Sequence, residues 1–512
     1  MTSIARGTLD NDHQETSMAR HGSTNTSDFI PPRSRYHDSG KFGRMFGSLP
    51  PFASDNPAVR EMLLRLGKPG GIMDAADPPA ASPVELITDL NFGVNNRDNP
   101  RMTAGMTFLG QFLDHDMTFD PTSSLERQAD PEQISNFRTP TLSLDSLYGA
   151  GPDANPHLYQ RENPAKFLIE NGGMKDDLPR NSQNCALIGD PRNDENLIVS
   201  QLHLAFLKFH NAVVDQLAPL GLRGAELFCE AQRQVRWHYQ WIILHEFLPL
   251  TCGADLVTNV LDEGCKFYRW NNEPYIPVEF SVAAYRFGHS QVRPSYRANF
   301  TGLDGKPFFA MIFGGQGAGV ADPDDLRGGC RAGRRYIGWP TFFDFGDGSA
   351  RHSKQIDTKM SSALFALPGS VVANPAAGNP ASLAQRNLLR HLTFALPSGQ
   401  RVAQAMKIAP LTPEELPELQ ELNLQHATPL WYYILKEAEI RAAGQHLGPM
   451  GGRIVAEVFI GLLQGDKQSY LYQDPDWHPT LPTRVPAHRG NQFAMVDLLT
   501  LADPDVSDVR RN

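Results

Sequence analysis

Hydrophobic residues recur along most of this chain at intervals of three and four positions, which is the spacing of one face of an α-helix. The pattern is clearest in Leu197 to Leu217, Ala225 to Leu248 and Arg453 to Leu463. Alternation of polar and apolar positions, which indicates a half-buried strand, is short and rare. We therefore predict a mainly α fold, in which a single large helical domain carries long loops and little β structure.

The first 45 residues differ from the rest of the chain. They are polar and rich in Ser, Thr, Asp, Arg and His, so they contain too few apolar side chains to form a core. We expect residues 1–45 to form a disordered N-terminal arm, followed by one domain over residues 46–512. Connections rich in proline and glycine, at 68–83, 314–334 and 366–380, separate the predicted helices.

Charge and cysteine content exclude several classes of protein. The net charge is −10 and no long basic run offsets it, which disfavours a nucleic-acid surface. The five cysteines are scattered, without a Cys-x-x-Cys pair, so they indicate neither a disulfide framework nor a zinc site. No apolar run approaches the roughly 18 residues of a transmembrane helix, and residues 1–40 lack the apolar core of a signal peptide. We expect a cytoplasmic protein by default, or one secreted by a route without a signal peptide.

A histidine flanked by two acids stands out in the segment Phe108 to Asp120. Gln111 and His115 are four positions apart and share one helical face. A histidine in an apolar helix is usually a satisfied core residue. Here Asp114 and Asp116 lie on either side of it, and burying this trio without a metal or cofactor is costly. The segment is therefore a candidate for chemistry.

Two further segments combine polar residues with small or apolar ones. In the first, His289 follows Gly288, which allows close approach of a bulky group, and Arg286 lies one turn earlier. In the second, Arg192 and Glu195 lie just before the helix that begins at Leu197. Asn193 or Asp194 could cap that helix, which would explain part of the second segment. A cap does not require the arginine.

Together these segments resemble the animal-type haem peroxidases, the superfamily of myeloperoxidase, peroxinectins, cyclooxygenases and linoleate diol synthases. The resemblance covers nearly the whole chain from about residue 46 and keeps the order of the motifs. It continues in His203, Phe209-His210-Asn211, Glu246-Phe247-Leu248-Pro249, Asn387-x-x-Arg390 and Leu396-Pro397. The C-terminal half, including residues 447–463, is more similar to bacterial relatives of the diol synthases than to the mammalian peroxidases, so we expect a bacterial-type member.

The resemblance implies a haem-dependent peroxidase that reduces hydrogen peroxide through an oxyferryl intermediate and oxidises a small electron donor such as a phenol or halide. His115 matches the distal histidine, which transfers the peroxide proton. Gln111 matches the distal glutamine. Arg192 matches the catalytic arginine, whose constant positive charge stabilises the departing oxygen.

The resemblance also implies haem b as the cofactor. It assigns haem binding to His289 as the iron ligand, Asn387 as its hydrogen-bond acceptor, Arg286 and Arg390 as propionate partners, and Asp114 and Glu195 as the acids that form esters with haem in mammalian members. Where those members bond a methionine to a haem vinyl group, this chain has Asn196, so a sulfonium link is not possible.

A calcium site next to the distal histidine is a further implication. Asp116 matches the calcium ligand there, and Thr139, Thr141 through its carbonyl, Ser143 and Asp145 match the partner loop. Mammalian members have Asp and then Ser where this chain has Ser143 and then Asp145, so one carboxylate is displaced by two residues. Hard oxygen ligands of this kind are those that calcium prefers.

Two other functions are compatible with parts of the pattern. A fatty-acid dioxygenase related to the diol synthases would share both histidines and place a radical tyrosine three residues before the iron ligand. That position is Arg286 here, and on a helix the neighbouring Tyr285 should point away from the haem pocket, since one residue turns a side chain by about 100°. A non-enzymatic binding protein would lose His115 or Arg192, and both are present.

Overall fold

The structure is a computed structural model. It describes residues 42–119, 136, 138–170, 176–271, 273–302, 305–314, 320–329, 332–369, 372, 375–376, 379–483 and 492–504. The predicted N-terminal arm lies almost entirely outside these residues. Its last positions are described and belong to the folded domain, because Phe42 and Gly43 pair with Ile276 and Pro277.

Helices dominate the architecture, which confirms the predicted fold class. The residues that the structure describes are 47% helical and 8% strand. The α-helices are α1 Pro57–Leu66, α2 Glu85–Thr88, α3 Ala104–Met117, α4 Asp145–Tyr148, α5 Leu197–Leu217, α6 Gly224–Ile242, α7 Leu248–Cys252, α8 Ala254–Glu263, α9 Leu383–Thr393, α10 Gly399–Ala405, α11 Leu430–Ala442, α12 Pro449–Gly465, α13 Tyr470–Gln473 and α14 Met495–Ala502.

Strands form only small ribbons in the part of the chain that the structure describes. They are β1 Phe42–Gly43, β2 Asp98–Thr103, β3 Ile276–Pro277, β4 Ser295–Arg297, β5 Phe309–Met311 and β6 His352–Lys354. β1 pairs with β3 in parallel, whereas β2 pairs with β6 and β4 with β5 in antiparallel fashion. These ribbons tie distant parts of the chain together and leave the core to the helices.

Helix α5 is the central helix of the core and has the bounds that the sequence predicted. It packs against α3, α6 and α14. Together with the 3-10 turn that follows it, to Leu220, it is the one helix among the described residues that is long and apolar enough to cross a membrane, and 83% of its most apolar stretch is buried inside the protein. That burial is typical of the core helix of a folded domain, so the finding is weak evidence for a membrane span.

Two π-helical turns interrupt the helices that approach the centre. The sequence predicted one helix from Ala225 to Leu248, but α6 ends at Ile242 and a π turn, Ile243–Phe247, leads into α7. A second π turn, Glu279–Ala283, leads into the 3-10 helix Ala284–His289. The buried carboxylate of Glu279 accepts hydrogen bonds from the backbone N–H groups of Met45 and Phe46, which anchors this second turn to the N-terminal segment.

Candidate active site

The three segments singled out in the sequence meet around one central cavity of about 260 Å³. Helix α3 forms one wall, and the 3-10 helix Ala284–His289 forms another. Most of the other lining side chains are apolar. The polar residues among the lining are Thr107, Gln111, Asp114, His115, Glu195, Asn196, Ser281, Tyr285, Arg286, His289 and Gln291.

His115 presents one ring nitrogen to the central cavity. Its other nitrogen, Nδ1, lies 2.8 Å from Oδ1 of Asn193, so Nδ1 carries the proton and donates it to the amide oxygen. The ring is only 4% exposed. Nε2 has no hydrogen-bond partner among the described residues, and it is the nitrogen left to meet a substrate in the cavity.

The predicted neighbours of His115 line the same cavity. Gln111 lies one helical turn earlier, as the spacing predicted, and its Nε2 is 3.4 Å from Oε2 of Glu195. The amide nitrogen of Asn196 donates to Oε1 of Gln111 over 3.3 Å. Burial raises the pKa of Glu195, and the positive charge of Arg192 opposes this shift. Asp114 also faces the cavity, so both acids predicted to form esters are at hand.

His289 lines the cavity from the 3-10 helix. Its Nδ1 lies 2.8 Å from the amide nitrogen of Asn387, and Oδ1 of that amide accepts a hydrogen bond from Arg286 over 3.1 Å. The sequence predicted that Asn387 would accept a hydrogen bond from His289. The structure differs because a guanidinium can only donate, so Arg286 takes the amide oxygen and leaves the donor side for His289. Burial, with the charge of Arg286, lowers the pKa of His289 to about 3, so the ring is neutral.

A second cavity of about 210 Å³ adjoins the first and shares Asp114, Ser281 and Arg286 with it. Two more arginines, Arg192 and Arg390, also line this second cavity. Three cationic side chains around one cavity form a site suited to carboxylates. The predicted propionate partners Arg286 and Arg390 therefore lie together.

Arg192 is held away from the central cavity by a buried network. Its Nη2 donates to the backbone oxygens of His115 and Thr118 over 3.0 and 2.6 Å, and Nε and Nη2 also bond the carboxylate of Asp190. Asp190 is fully buried and pairs with Arg138 as well, over 2.6 Å. The two arginines hold the pKa of Asp190 well below its ordinary value, although its burial opposes this. Arg192 thus supports the backbone at His115 and faces the second cavity.

These residues fit a haem group. The central cavity is largely apolar, as a porphyrin requires, and the arginine-lined cavity beside it suits propionates. A Cβ added at Gly288, the residue before His289, would meet no atom within 4 Å, so there is open space beside the neutral imidazole. A neutral imidazole binds iron through its unprotonated nitrogen and donates a hydrogen bond from the other. Iron binding through Nε2 of His289 therefore requires the Asn387 amide to turn over, so that its oxygen accepts from Nδ1.

Tyr285 contradicts its sequence prediction, because it lines the central cavity together with His115 and His289. Its ring stacks on Phe280, and its hydroxyl donates to the backbone oxygen of Gly110 over 3.1 Å. The prediction assumed a regular α-helix with about 100° per residue. The chain here passes from a π turn into a 3-10 helix, so that rotation does not apply.

The predicted calcium ligands lie around one loop. The buried carboxylate of Asp116 accepts hydrogen bonds from the backbone N–H of Leu144 and from the hydroxyl of Tyr239. Side-chain hydrogen bonds link Thr141, Ser143 and Asp145, whereas Thr139 is exposed and its carbonyl oxygen accepts from the N–H of Thr141. Burial and the charge of Asp145 raise the pKa of Asp116 to about 7. No group of three or more His, Cys, Asp or Glu residues suited to a metal occurs among the described residues.

Two parts of the site were missed or misread in the sequence. Asn193 was considered a helix cap, but the cap of α5 is Asn196, whose Oδ1 accepts from the N–H of Val199. Asn193 instead contacts His115 across 78 residues of sequence. Asp190, which anchors Arg192, was not singled out. Its position two residues before the arginine, at the start of a Pro-containing 3-10 turn, was the available signal.

One part of the chain matches a known family model. Residues 130–306 match the family model described as animal haem peroxidase. A peroxidase-like protein from Margaritifera margaritifera is 36% identical over 137 residues, which are 26% of this chain and 16% of that protein. The chain therefore spans only a small part of the length of this curated relative.

Solved structures share the fold over most of the chain. Peroxidase A from Dictyostelium discoideum superimposes with a TM-score of 0.58 at 16% identity, covering 84% of this chain and 88% of that chain. A fatty acid alpha-dioxygenase from Arabidopsis thaliana superimposes with a TM-score of 0.59 at 16% identity, covering 92% and 79%. At these identities the similarity concerns the fold alone.

Proposed function

We propose that this chain, which belongs to the peroxidase–cyclooxygenase superfamily, is a haem-dependent peroxidase that reduces hydrogen peroxide and oxidises a small donor. The observation that carries the proposal is the pair formed by His115 and His289. Both rings line one cavity, and each has its Nδ1 held by an asparagine amide. His115 would use its free Nε2 to move a proton, and His289 would bind iron through Nε2 once the oxygen of Asn387 turns toward its Nδ1.

The residues that would hold haem b are the predicted ones. His289 would bind the iron, supported by Asn387, while Arg286 and Arg390 would pair with the propionates. The bound haem would supply the redox-active iron that reduction of peroxide and oxidation of a donor require. Asp114 and Glu195 would form up to two ester links, and this proposal is supported by their presence in the lining of the central cavity.

His115 would act as the general base and then as the general acid. Its Nε2 accepts the proton from the peroxide oxygen nearer the iron and returns it to the farther oxygen, which leaves as water. The Nδ1 proton stays on the hydrogen bond to Asn193 throughout. Proton transfer of this kind contributes about 10²–10⁴-fold to a rate.

Arg192 would stabilise the charge that develops as the bond between the oxygens breaks. Its guanidinium is cationic at every working pH and lies against the backbone of His115. Asp190 neutralises part of this charge. We therefore assign Arg192 two roles: it contributes positive charge near the reacting oxygens, and it holds the backbone of His115 in position. Gln111 would complete the polar side of the cavity.

Haem uptake tests the proposal directly. The recombinant protein supplemented with haem should bind one equivalent and show a Soret band that changes on addition of peroxide. His289→Ala should lose stoichiometric uptake while its far-UV circular dichroism remains helical. His446→Ala is a suitable control, because this half-buried histidine lies outside the central cavity. A normal Soret band in His289→Ala would refute the assignment of the iron ligand.

A fatty-acid dioxygenase is the second candidate, and Tyr285 is the observation that favours it. The tyrosine lines the same cavity as both histidines, which the sequence did not predict. A phenol in that place could be oxidised and then abstract a hydrogen atom from a fatty acid. Oxygen uptake with linoleate, lost in Tyr285→Phe, would establish this activity. If linoleate causes no oxygen uptake while a phenolic dye is oxidised by peroxide, the dioxygenase is ruled out.

Calcium is proposed as a structural ion beside His115. The motivation is that Asp116 and Asp145 repel each other in a buried setting, which a divalent cation would relieve. Addition of Ca²⁺ to protein stripped with a chelator should raise the melting temperature, and Asp116→Asn should abolish this increase. An unchanged melting temperature in the wild-type protein would contradict the proposal.

A further inference from the structure

A chain of hydrogen bonds runs from His115 into the core of the protein. Nδ1 of His115 meets Oδ1 of Asn193 at 2.8 Å, and the amide nitrogen of Asn193 meets Nδ1 of His203 at 2.9 Å. Asn193 and His203 are 0% and 1% exposed. Neither of them is among the residues that line the central cavity, so any influence they have on substrate must pass through His115.

His203 ends this chain with an unsatisfied atom. Its Nε2 is buried and has no hydrogen-bond partner among the described residues. The ring lies on α5, with its plane steeply inclined to that of Phe112 at 6.2 Å. Burial lowers the pKa of His203 to about 3, so the ring is neutral and carries a single proton. That proton can reside on only one of the two nitrogens.

The amide of Asn193 couples the protons of the two rings. It presents an oxygen, which only accepts, on one side and an NH₂ group, which only donates, on the other. When NH₂ faces His203, the oxygen faces His115, so Nδ1 of His115 carries the proton and Nε2 is bare. If the amide turned over, Nδ1 of His115 would have to accept and its Nε2 would carry the proton. The structure has the first arrangement.

We propose that His203, acting through the amide of Asn193, fixes His115 in the tautomer whose Nε2 is unprotonated and faces the cavity. The inference rests on the proposed peroxidase function and adds a positioning residue to it. Only a bare Nε2 can accept the proton of hydrogen peroxide; an Nε2–H would donate to the peroxide instead. His203 thus determines whether His115 begins the reaction as a base.

The proton transfers in this arrangement balance over one reaction cycle. When Nε2 accepts the peroxide proton, the ring of His115 becomes cationic and retains its Nδ1 proton, which the oxygen of Asn193 continues to accept. When Nε2 gives the proton to the leaving oxygen, the starting tautomer is restored. His203 and Asn193 neither gain nor lose a proton in the cycle.

The test uses the haem-loaded enzyme and two measurements. The first is the C–O stretching frequency of the carbon monoxide complex of the ferrous enzyme. A bare Nε2 facing the carbon monoxide raises this frequency, whereas an Nε2–H that donates to it lowers it. The second is the bimolecular rate with hydrogen peroxide in stopped flow. The variants are His203→Leu, which removes the acceptor for the Asn193 amide, and His203→Gln, whose carbonyl can replace it.

His210→Leu serves as the matched control. This histidine lies two turns further along α5, is also fully buried, and bonds Tyr148 and Ala165 rather than Asn193. We expect His203→Leu to bind haem and to shift the C–O stretching band to lower frequency. Its reaction with peroxide should be about tenfold slower, which is the usual effect of losing one hydrogen bond. His203→Gln should recover most of the wild-type band position and most of the rate with peroxide. His210→Leu should change neither the band position nor the rate. An unshifted band in haem-loaded His203→Leu would overturn the proposal.

Asn193→Asp keeps the test decisive if His203→Leu does not fold. A carboxylate has no donor, so it can only accept from Nδ1 of His115. At alkaline pH, where the ring stays neutral despite the adjacent negative charge, the carbonyl band should therefore stay at the high-frequency position. A band at the low-frequency position in Asn193→Asp, or in the wild-type enzyme, would also overturn the proposal. Failure of the wild-type protein to bind haem or react with peroxide would instead refute the proposed function.

Discussion

Arg286 donates a hydrogen bond to Oδ1 of Asn387 over 3.1 Å and thereby turns the amide nitrogen of Asn387 toward His289. The orientation of the side chain behind the proposed iron ligand thus depends on a residue one turn before that ligand. Trp431 fixes the backbone here, because its indole N–H donates to the carbonyl oxygen of Arg286 over 3.1 Å.

This relationship predicts that Arg286 and Asn387 act as a unit in haem binding. Asn387→Leu and Arg286→Leu should each weaken haem affinity by about 10–100-fold, the usual effect of removing a group that supports a metal ligand. The double variant should lose less than the product of the two factors, because each single change already disrupts the same arrangement. Haem titration followed at the Soret band measures all three. Fully multiplicative losses would mean that the two residues act independently.

Asp190 should be a main source of stability around Arg192. In Asp190→Ala, the guanidinium of Arg138 would stay buried without its counter-charge, since its side chain is 6% exposed. We expect the free energy of unfolding to fall by about 3 kcal/mol. Asp55→Ala breaks the pair with Arg60, whose side chains are 24% and 26% exposed, and should cost less than about 1 kcal/mol. Equal losses in urea denaturation would contradict this ranking.

Mild acid should destabilise the fold through buried neutral histidines. Burial lowers the pKa of His210, His238 and His391 from 6.5 to about 4. Between pH 6.5 and 4 the unfolded chain therefore binds protons that the folded protein does not, and stability falls as the pH decreases. Each ring contributes up to about 1.4 kcal/mol per pH unit in this window.

Urea midpoints measured at pH 7, 6 and 5 test this prediction. His210→Gln removes one of these buried rings but can keep a hydrogen bond to Tyr148 or Ala165. Its stability should therefore decline less steeply with falling pH than that of the wild-type protein. The same slope in both proteins would show that His210 is not responsible.

Ester links to haem should form through Asp114 and Glu195 when the loaded protein reacts with peroxide. Both carboxylates line the central cavity, and Gln111 contacts Glu195 there. After peroxide treatment, acid acetone should leave haem on the protein, and mass spectrometry should find it on both peptides. Asp114→Asn and Glu195→Gln should each remove one attachment. Complete extraction from the wild-type protein would show that these acids are only polar neighbours of the haem.

The sequence predicted those parts of the molecule that follow from regular periodicity. The bounds of α5 agree with its spacing of apolar residues, and Gln111 and His115 share a face because α3 is a regular helix. Tyr285 was misplaced because the backbone before His289 is not α-helical, and a hydrophobic pattern does not distinguish a π or 3-10 turn from an α turn.

Contacts between distant segments were also beyond the sequence alone. Asn193 has the residue type and the position of a helix cap, and nothing local shows that it bridges two histidines instead. In the same way, Arg286 suggested a propionate partner by its type, but its hydrogen bond to Asn387 spans 101 residues of sequence. Such contacts are set by how the helices pack and not by any local preference.

The π turn Glu279–Ala283 makes the length of this segment more important than its composition. Such a turn holds one residue more than an α-helical turn, and Glu279 ties its start to the backbone of Met45 and Phe46. Deleting a single residue here would restore the α register and rotate everything after it by about 100°, which would carry His289 away from the cavity. The segment is therefore a spacer of fixed length, closed to insertion and deletion.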